Sequence, residues 1–373
     1  NPLCPYHDRD RAAGCTWYGP FGHFYTKARG WIRRFRCRHC GKTCSTQTFS
    51  VHYWTHSTLD LVRLLQEFYG CGGLRQMGRF RARSYRVIQN RIRRLARNAL
   101  AVMDAALDGL ELNENLVMDG LESYMRSQFH PNNITCLVGA DSQFTYGAVH
   151  TTLRRSGAMT PAQRRTREHI DAVWRPPRSV EADCSALLAD LAPAIAARAE
   201  HEPVILASDE HGAYPRAIKA VTALAALLAD RRLIHQRTSS RRPRTRANPL
   251  FAANYLDRQL RKNCAEHVRE TVRQGREINC QMERMAVFMA LHNFLTPHRI
   301  TDRAYVGDGP RHGSKAGVRT KAVVWHLRRF VTHRHVWSHC RSKAEWMRRI
   351  WKHAYENPPA VRAEGETLFV REV

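Results

Sequence analysis

Val204-Ile-Leu-Ala207, followed at once by Ser208-Asp209-Glu-His-Gly-Ala-Tyr214, is the stretch on which the fold turns. Four apolar residues in a row, two of them β-branched, closed by a polar turn, spell a short strand buried on both faces. A carboxylate at the end of such a strand is costly unless cations face it. Asp209 is therefore a candidate for chemistry. Upstream, Leu116-Val-Met118 runs into Asp119 in the same manner. Ile134-Thr-Cys-Leu-Val138 and Phe144 to Thr152 are two further β-prone runs, with Pro131-Asn-Asn133 and Asp141-Ser142 read as turns.

Beyond Tyr214 the pattern predicts a helix from about Pro215 to Leu228, a strand at Leu233-Ile-His235, and a basic, Pro-bearing loop over 236–249. A helix from Asn254 to about Phe294 follows, kinked at Gly275, with Met282, Met285, Val287, Phe288, Met289 and Leu291 as core. Residues 154–200 are polar, split at Pro176-Pro177, and read as a helical insertion. Strands alternating with helices in this order predict a mixed α/β layered domain.

The N-terminal part reads differently. Cys37-Arg-His-Cys40, followed by Gly41, has the spacing of a zinc knuckle. Cys4 and His7 offer a second pair at the same spacing, with Cys15 as the alternative to His7; Cys44 reads as a small buried residue beside the knuckle and stays open as a ligand. Residues 1–50 thus read as a zinc ribbon. Ser57-Thr-Leu-Asp60 marks a helix start, Gly70-Cys-Gly-Gly73 a break, Leu74–Phe80 a short segment, and Ser84 the cap of a helix through Asn98. Three helices with a glycine-bearing turn over 51–105 match a helix-turn-helix, in which Arg86, Arg91 and Arg94 are candidates for DNA contact.

The chain has 373 residues, 43% of them hydrophobic, which supports a folded core. Sixty Lys and Arg against 33 Asp and Glu leave a net charge of +27, which calls for a polyanionic partner, and nucleic acid is the usual one. No apolar run of roughly 18 residues argues for a membrane. Five of the eleven cysteines lie within residues 4–44 and the rest stand singly, a metal-site pattern rather than a disulfide framework, which favours a reducing cytoplasm. The basic segment 301–373, with Trp325, Trp337, Trp346 and Trp351 among cations, reads as a helical C-terminal region with a fraying tail.

Taken together, Arg36-Cys-Arg-His-Cys-Gly-Lys-Thr43, Gln47-Thr-Phe-Ser50, Met118-Asp-Gly120, Ser208-Asp-Glu-His-Gly-Ala-Tyr214 and Arg269-Glu-Thr-Val272, in that order, resemble the DDE transposases of bacterial insertion sequences, nearest the group around insertion element one. The resemblance implies a ribonuclease H-like catalytic domain over 106–300, Mg²⁺- or Mn²⁺-dependent strand cleavage and strand transfer at element ends, and a homo-oligomer working on DNA near the nucleoid. Asp119 and Asp209 match the first two catalytic acids and would hold the Mg²⁺. The family's third acid is a Glu within Ile-Glu-Arg; here Leu256-Asp257-Arg258 is the nearest match, near the expected helix start, and Glu270 competes. Thirteen positions separate the two, roughly 20 Å along a helix, so both cannot serve one metal pair. Arg258, Arg261 and Lys262, and the loop arginines Arg241, Arg242, Arg244 and Arg246, are the cations expected to meet phosphates. Two rival readings stay open: a DNA-binding regulator descended from an inactive transposase, and a nuclease that cuts without joining.

Overall fold

The computed structural model describes Cys4 and residues 17–268, 271, 273–299, 309–335, 342–364 and 367–371. Three short strands open the described chain: β1 (Tyr18–Thr26), β2 (Gly30–Cys37) and β3 (Thr43–Ser45) form an antiparallel sheet in that order. Helices α1 (Leu61–Tyr69), α2 (Leu74–Phe80) and α3 (Tyr85–Leu107) follow. Within the expected start signal it is Asp60, not Ser57, that caps α1, its side chain accepting the Arg63 N–H. Gly78 lets α2 meet the turn into α3, since a Cβ there would lie 2.6 Å from the Arg83 carbonyl oxygen.

The central sheet has five strands: β4 (Leu116–Met125), β5 (Ser127–Gly139), β6 (Thr145–Thr152), β7 (Val204–Ser208) and β8 (Leu233–Arg237). Their spatial order is β6-β5-β4-β7-β8; the first three form an antiparallel meander, and β7 and β8 run parallel to β4. Pro131-Asn132-Asn133 does not turn the chain but lies inside β5. Pro131 sits opposite Tyr124, where the ladder bulges and a missing N–H is tolerated. Asn132 accepts from both the amide and hydroxyl of Ser123 across the strands, so its side chain joins the sheet instead of a turn. The reversal falls at Arg126, with φ of 62°.

Helices cover the sheet: α4 (Pro161–Val173), α5 (Val180–Ala199), α6 (Ala213–Ala220), α7 (Thr222–Ala229), α8 (Phe251–Asn263) and α9 (Ile278–Phe294). The expected insertion at 154–200 needs correction. Its second half, α5, buries Val180, Cys184, Leu187, Leu188, Leu191 and Ile195 and packs on β5, β6 and α6, so it belongs to the core of the domain. The single helix expected over 254–294 is two, α8 and α9, separated by a short 3₁₀ turn at Ala265–His267 and the stretch around Gly275. The Met- and Phe-rich run of α9 is buried, as its composition predicts.

The C-terminal part adds α10 (His312–Lys315), α11 (Lys321–Arg328), α12 (Glu345–Lys352) and a hairpin of β9 (Ala360–Glu364) and β10 (Thr367–Arg371), where a frayed tail was expected. It ties the pieces together. The Val51 N–H donates to the Thr332 carbonyl, and the Arg334 N–H to that of Phe49. Asn98 on α3 donates to the carbonyls of Phe330 and His333. On the other side of α3, Arg93 and Gln89 hold Glu283 of α9 at 2.8 Å each. Among the described residues no helix is long and apolar enough to cross a membrane.

Candidate active site and metal centre

Parallel pairing of β4 with β7 sets Leu116 against Leu206, Val117 against Ala207 and Met118 against Ser208. The next residue on each strand is an aspartate, so Asp119 and Asp209 begin side by side at neighbouring strand positions. Adjacent strands lie about 4.8 Å apart. Helix α8 packs across β4 and β5 and brings Asp257 to the same place. Asp257 stands mid-way along α8, not near its start, because the helix begins at Phe251.

The three carboxylates feel one another. Burial pushes the Asp119 carboxyl up to about 6, with the charge of Asp209 adding to the rise and the Gly120 N–H, Arg244 and Arg261 opposing it. Burial and then the charge of Asp119 push Asp257 up to about 7, against Arg261 and Arg244. The phenol of Tyr214, which is 2% exposed, is raised by burial and by Asp119, Asp209 and Asp257 alike. Asp119 therefore lies near both Asp209 and Asp257, with the buried Tyr214 close to all three and Cys136 as the register partner of Asp119.

Local bonds fix two of the acids. Asp119 Oδ1 accepts from the Gly120 N–H at 2.8 Å, and a Cβ at Gly120 would lie 2.2 Å from the Asn133 amide nitrogen. Asp209 Oδ1 accepts from the His211 N–H at 2.8 Å. Ser208 Oγ lies 2.8 Å from His235 Nε2, joining β7 to β8 just before Asp209. The donor set suits a hard divalent cation: Asp119 and Asp257, partly buried and raised toward neutrality, are relieved when a cation replaces their protons. Their oxygens are spread more widely than the one tight set among the described residues, which lies in the N-terminal ribbon.

That set is Cys4, Cys37 and Cys40, whose sulfurs all lie within 4.8 Å of one another. Cys4 and Cys37 are 3.9 Å apart, close to the ~3.8 Å edge of a tetrahedron with Zn–S bonds of ~2.3 Å. Cys37 ends β2, its carbonyl accepting from Gly41, whose φ of 69° closes the knuckle. His39 Nδ1 lies 3.9 Å from Cys4 Sγ but outside the set of three. These residues can hold a metal ion. His7 and Cys15 lie outside the described residues, as does Glu270, the competitor of Asp257.

The expected DNA-contacting arginines divide. Arg86 and all of Arg241, Arg242, Arg244 and Arg246 are exposed. Their loop is braced by Asn248, which donates to the carbonyls of Arg242 and Pro243. Arg91 and Arg94 are corrected. Arg91 is 4% exposed and donates to the Ser57 carbonyl; Arg94 donates to the carbonyls of Val51 and Tyr53. Both guanidiniums clamp the segment between ribbon and α1, because that backbone has no strand or helix to satisfy it. Arg258 and Lys262 are exposed, while Arg261 turns toward the acids. No family model, curated protein or solved structure matches this chain.

Proposed function

We propose that the chain is a DNA transposase of the DDE type, in which Asp119, Asp209 and Asp257 carry metal-dependent phosphodiester cleavage and strand transfer. The observation that carries the reading is that Asp119 on β4 lies beside Asp209, which follows the adjacent parallel strand β7, and beside Asp257 on a helix crossing the sheet, with Arg244 and Arg261 acting on the same carboxylates. The strand order and directions are compatible with a ribonuclease H-like domain.

On this reading the carboxylates hold Mg²⁺ or Mn²⁺, which when bound polarises phosphate oxygens and favours an ionised nucleophile. The chain's own residues do the rest. Gly120 and His211 N–H groups orient Asp119 and Asp209. Arg244 and Arg261 flank the carboxylates and balance the negative charge of an incoming phosphate. The ribbon, stapled by zinc on Cys4, Cys37 and Cys40, and the helices after it bind element ends, with Arg86 an exposed cation at the start of α3.

The test is strand cleavage and joining on element-end DNA with Mg²⁺. Asp119→Ala, Asp209→Ala and Asp257→Ala should each lower the rate by at least about a thousandfold, as loss of a group central to transition-state electrostatics does, with DNA affinity little changed. Normal joining by any of the three removes that residue from the reading. Cleavage without joining would favour a nuclease, and DNA binding without either would favour a regulator.

A further inference from the structure

A groove of about 930 Å³ runs along the ribbon between β1 and the segment that leads to α1. Its lining includes Phe24, Tyr53 and Trp54, with Lys27, Arg29 and Arg34 as cations, and no carboxylate is found among its described lining residues. Two polar atoms of that lining, Thr26 Oγ1 and Arg29 Nε, are buried and have no hydrogen-bond partner. The site therefore has aromatic surface, positive charge and unspent donors, the combination that suits a nucleotide.

Trp54 is the unusual member. Its side chain is 85% exposed, and its backbone has φ of 55°, a left-handed conformation that is an outlier for a bulky residue. Nothing in its own packing repays that strain. The surrounding loop nevertheless holds it fast: Arg94 donates to the Tyr53 carbonyl at 2.5 Å, Arg29 reaches the His52 carbonyl and Thr55 Oγ1, and the Arg334 guanidinium lies 3.9 Å from the centre of the Tyr53 ring. A strained, pinned and exposed indole is presented to something outside the chain.

We propose that this groove binds single-stranded DNA, with an unpaired base stacked on Trp54 and its phosphates on Lys27 and Arg34. This rests on the reading of the chain as a DNA-binding protein, and adds that the ribbon takes an unpaired strand rather than only a duplex. A base inside a duplex already has both faces covered, so an exposed indole suits bases that have left the stack.

The full chain is titrated, without added divalent cation, against two labelled duplexes of the same sequence, one blunt and one with a short single-stranded overhang. The unaltered chain should prefer the overhang. Trp54→Ala should weaken overhang binding by about tenfold and leave blunt binding unchanged, while Trp54→Phe retains most of the preference. Trp54→Gly separates a binding role from a structural one: glycine is unstrained at this φ, so its melting temperature should rise while overhang affinity falls as in Trp54→Ala. Equal affinity of the unaltered chain for both duplexes, or full overhang affinity in Trp54→Gly, overturns the proposal and leaves duplex recognition standing. Failure to bind either duplex overturns it together with the DNA reading.

Discussion

Met118 and Ser208 are register partners across the parallel β4–β7 pair, so the aspartates that follow them start from equivalent places on adjacent strands. Neither strand would bring two carboxylates together by its own preference. The pairing sets them together, and the carboxyl of Asp119 is raised, chiefly by burial and further by the charge of Asp209.

That rise is measurable as stability. Asp119 and Asp257 titrate in the folded chain at about 6 and about 7, above the ~4 of an unfolded aspartate. Their contribution is fully present below pH ~4 and is lost as pH rises through the folded values. At pH 8 and without divalent cation, Asp257→Asn should therefore raise the melting temperature by a few degrees while abolishing cleavage. Mg²⁺ should stabilise the unaltered chain more than the variant. Identical melting of the two at pH 8 would remove the crowding from the account.

Arg91 and Arg94 predict a different signature from Arg86. Arg94→Ala leaves the carbonyls of Val51 and Tyr53 without its guanidinium, a loss of about 1–3 kcal/mol. Arg91→Ala removes one of the two donors to the Ser57 carbonyl, which Thr55 Oγ1 still serves, a smaller loss. Urea denaturation should show it directly. Arg86 is exposed, so Arg86→Ala should leave stability within about 0.5 kcal/mol and lower only the affinity for duplex DNA, with a smaller salt dependence.

The ribbon should depend on a bound metal and the central five-stranded sheet should not. Cys4→Ser, Cys37→Ser or Cys40→Ser should each lose one equivalent of zinc by elemental analysis and weaken DNA binding. Cys44→Ser should keep it. Zinc retained in full by Cys37→Ser would dissolve the centre altogether.

Three imidazoles hold the turn between β5 and β6: His298 Nε2 donates to the carbonyl of Asp141, His312 Nδ1 to that of Ser142 and His292 Nε2 to that of Gln143. Glu114 takes the amides of Asp141 and Ser142. His292 and His312 stack at 4.1 Å, and burial lowers them to about 4 and about 2. Depressed folded values mean stability present above pH ~6.5 and lost as pH falls toward 4. The double variant His292→Gln, His312→Asn keeps both donors without the charge. Between pH 7 and 5 it should lose less stability than the unaltered chain, by about 4 kcal/mol, roughly 2 from each imidazole; parallel pH profiles would count against these imidazoles as the cause.

Much of this layout was legible locally. Val204–Ala207 and Leu116–Met118 are strands because uninterrupted apolar runs can only be buried, and an acid at the end of each is visible without any structure. Cys37 and Cys40 announce themselves by spacing. Pro131-Asn-Asn133 misled because turn-forming residues are also good cross-strand partners, and only the Ser123 neighbour selects between the roles. The arginines of α3 misled for a related reason: a helix rich in Arg on several faces gives no sign of which guanidiniums face a loop that needs donors. Helix α5 looked like an insertion because its loop-rich approach, not the helix itself, is polar.

The sequence by itself determined which segments are buried strands, which cysteines share a metal-site spacing, and how strongly cationic the chain is. Those follow from side-chain chemistry and short-range spacing. The tertiary structure decided which of these groups meet. Asp257 reaches Asp119 only because α8 crosses β4 and β5, Cys4 reaches Cys37 only because the ribbon closes, and Arg94 leaves the surface only because the segment after the ribbon passes over α3. Each is a contact between parts far apart in the chain, set by how apolar faces stack, and no local pattern carries that information.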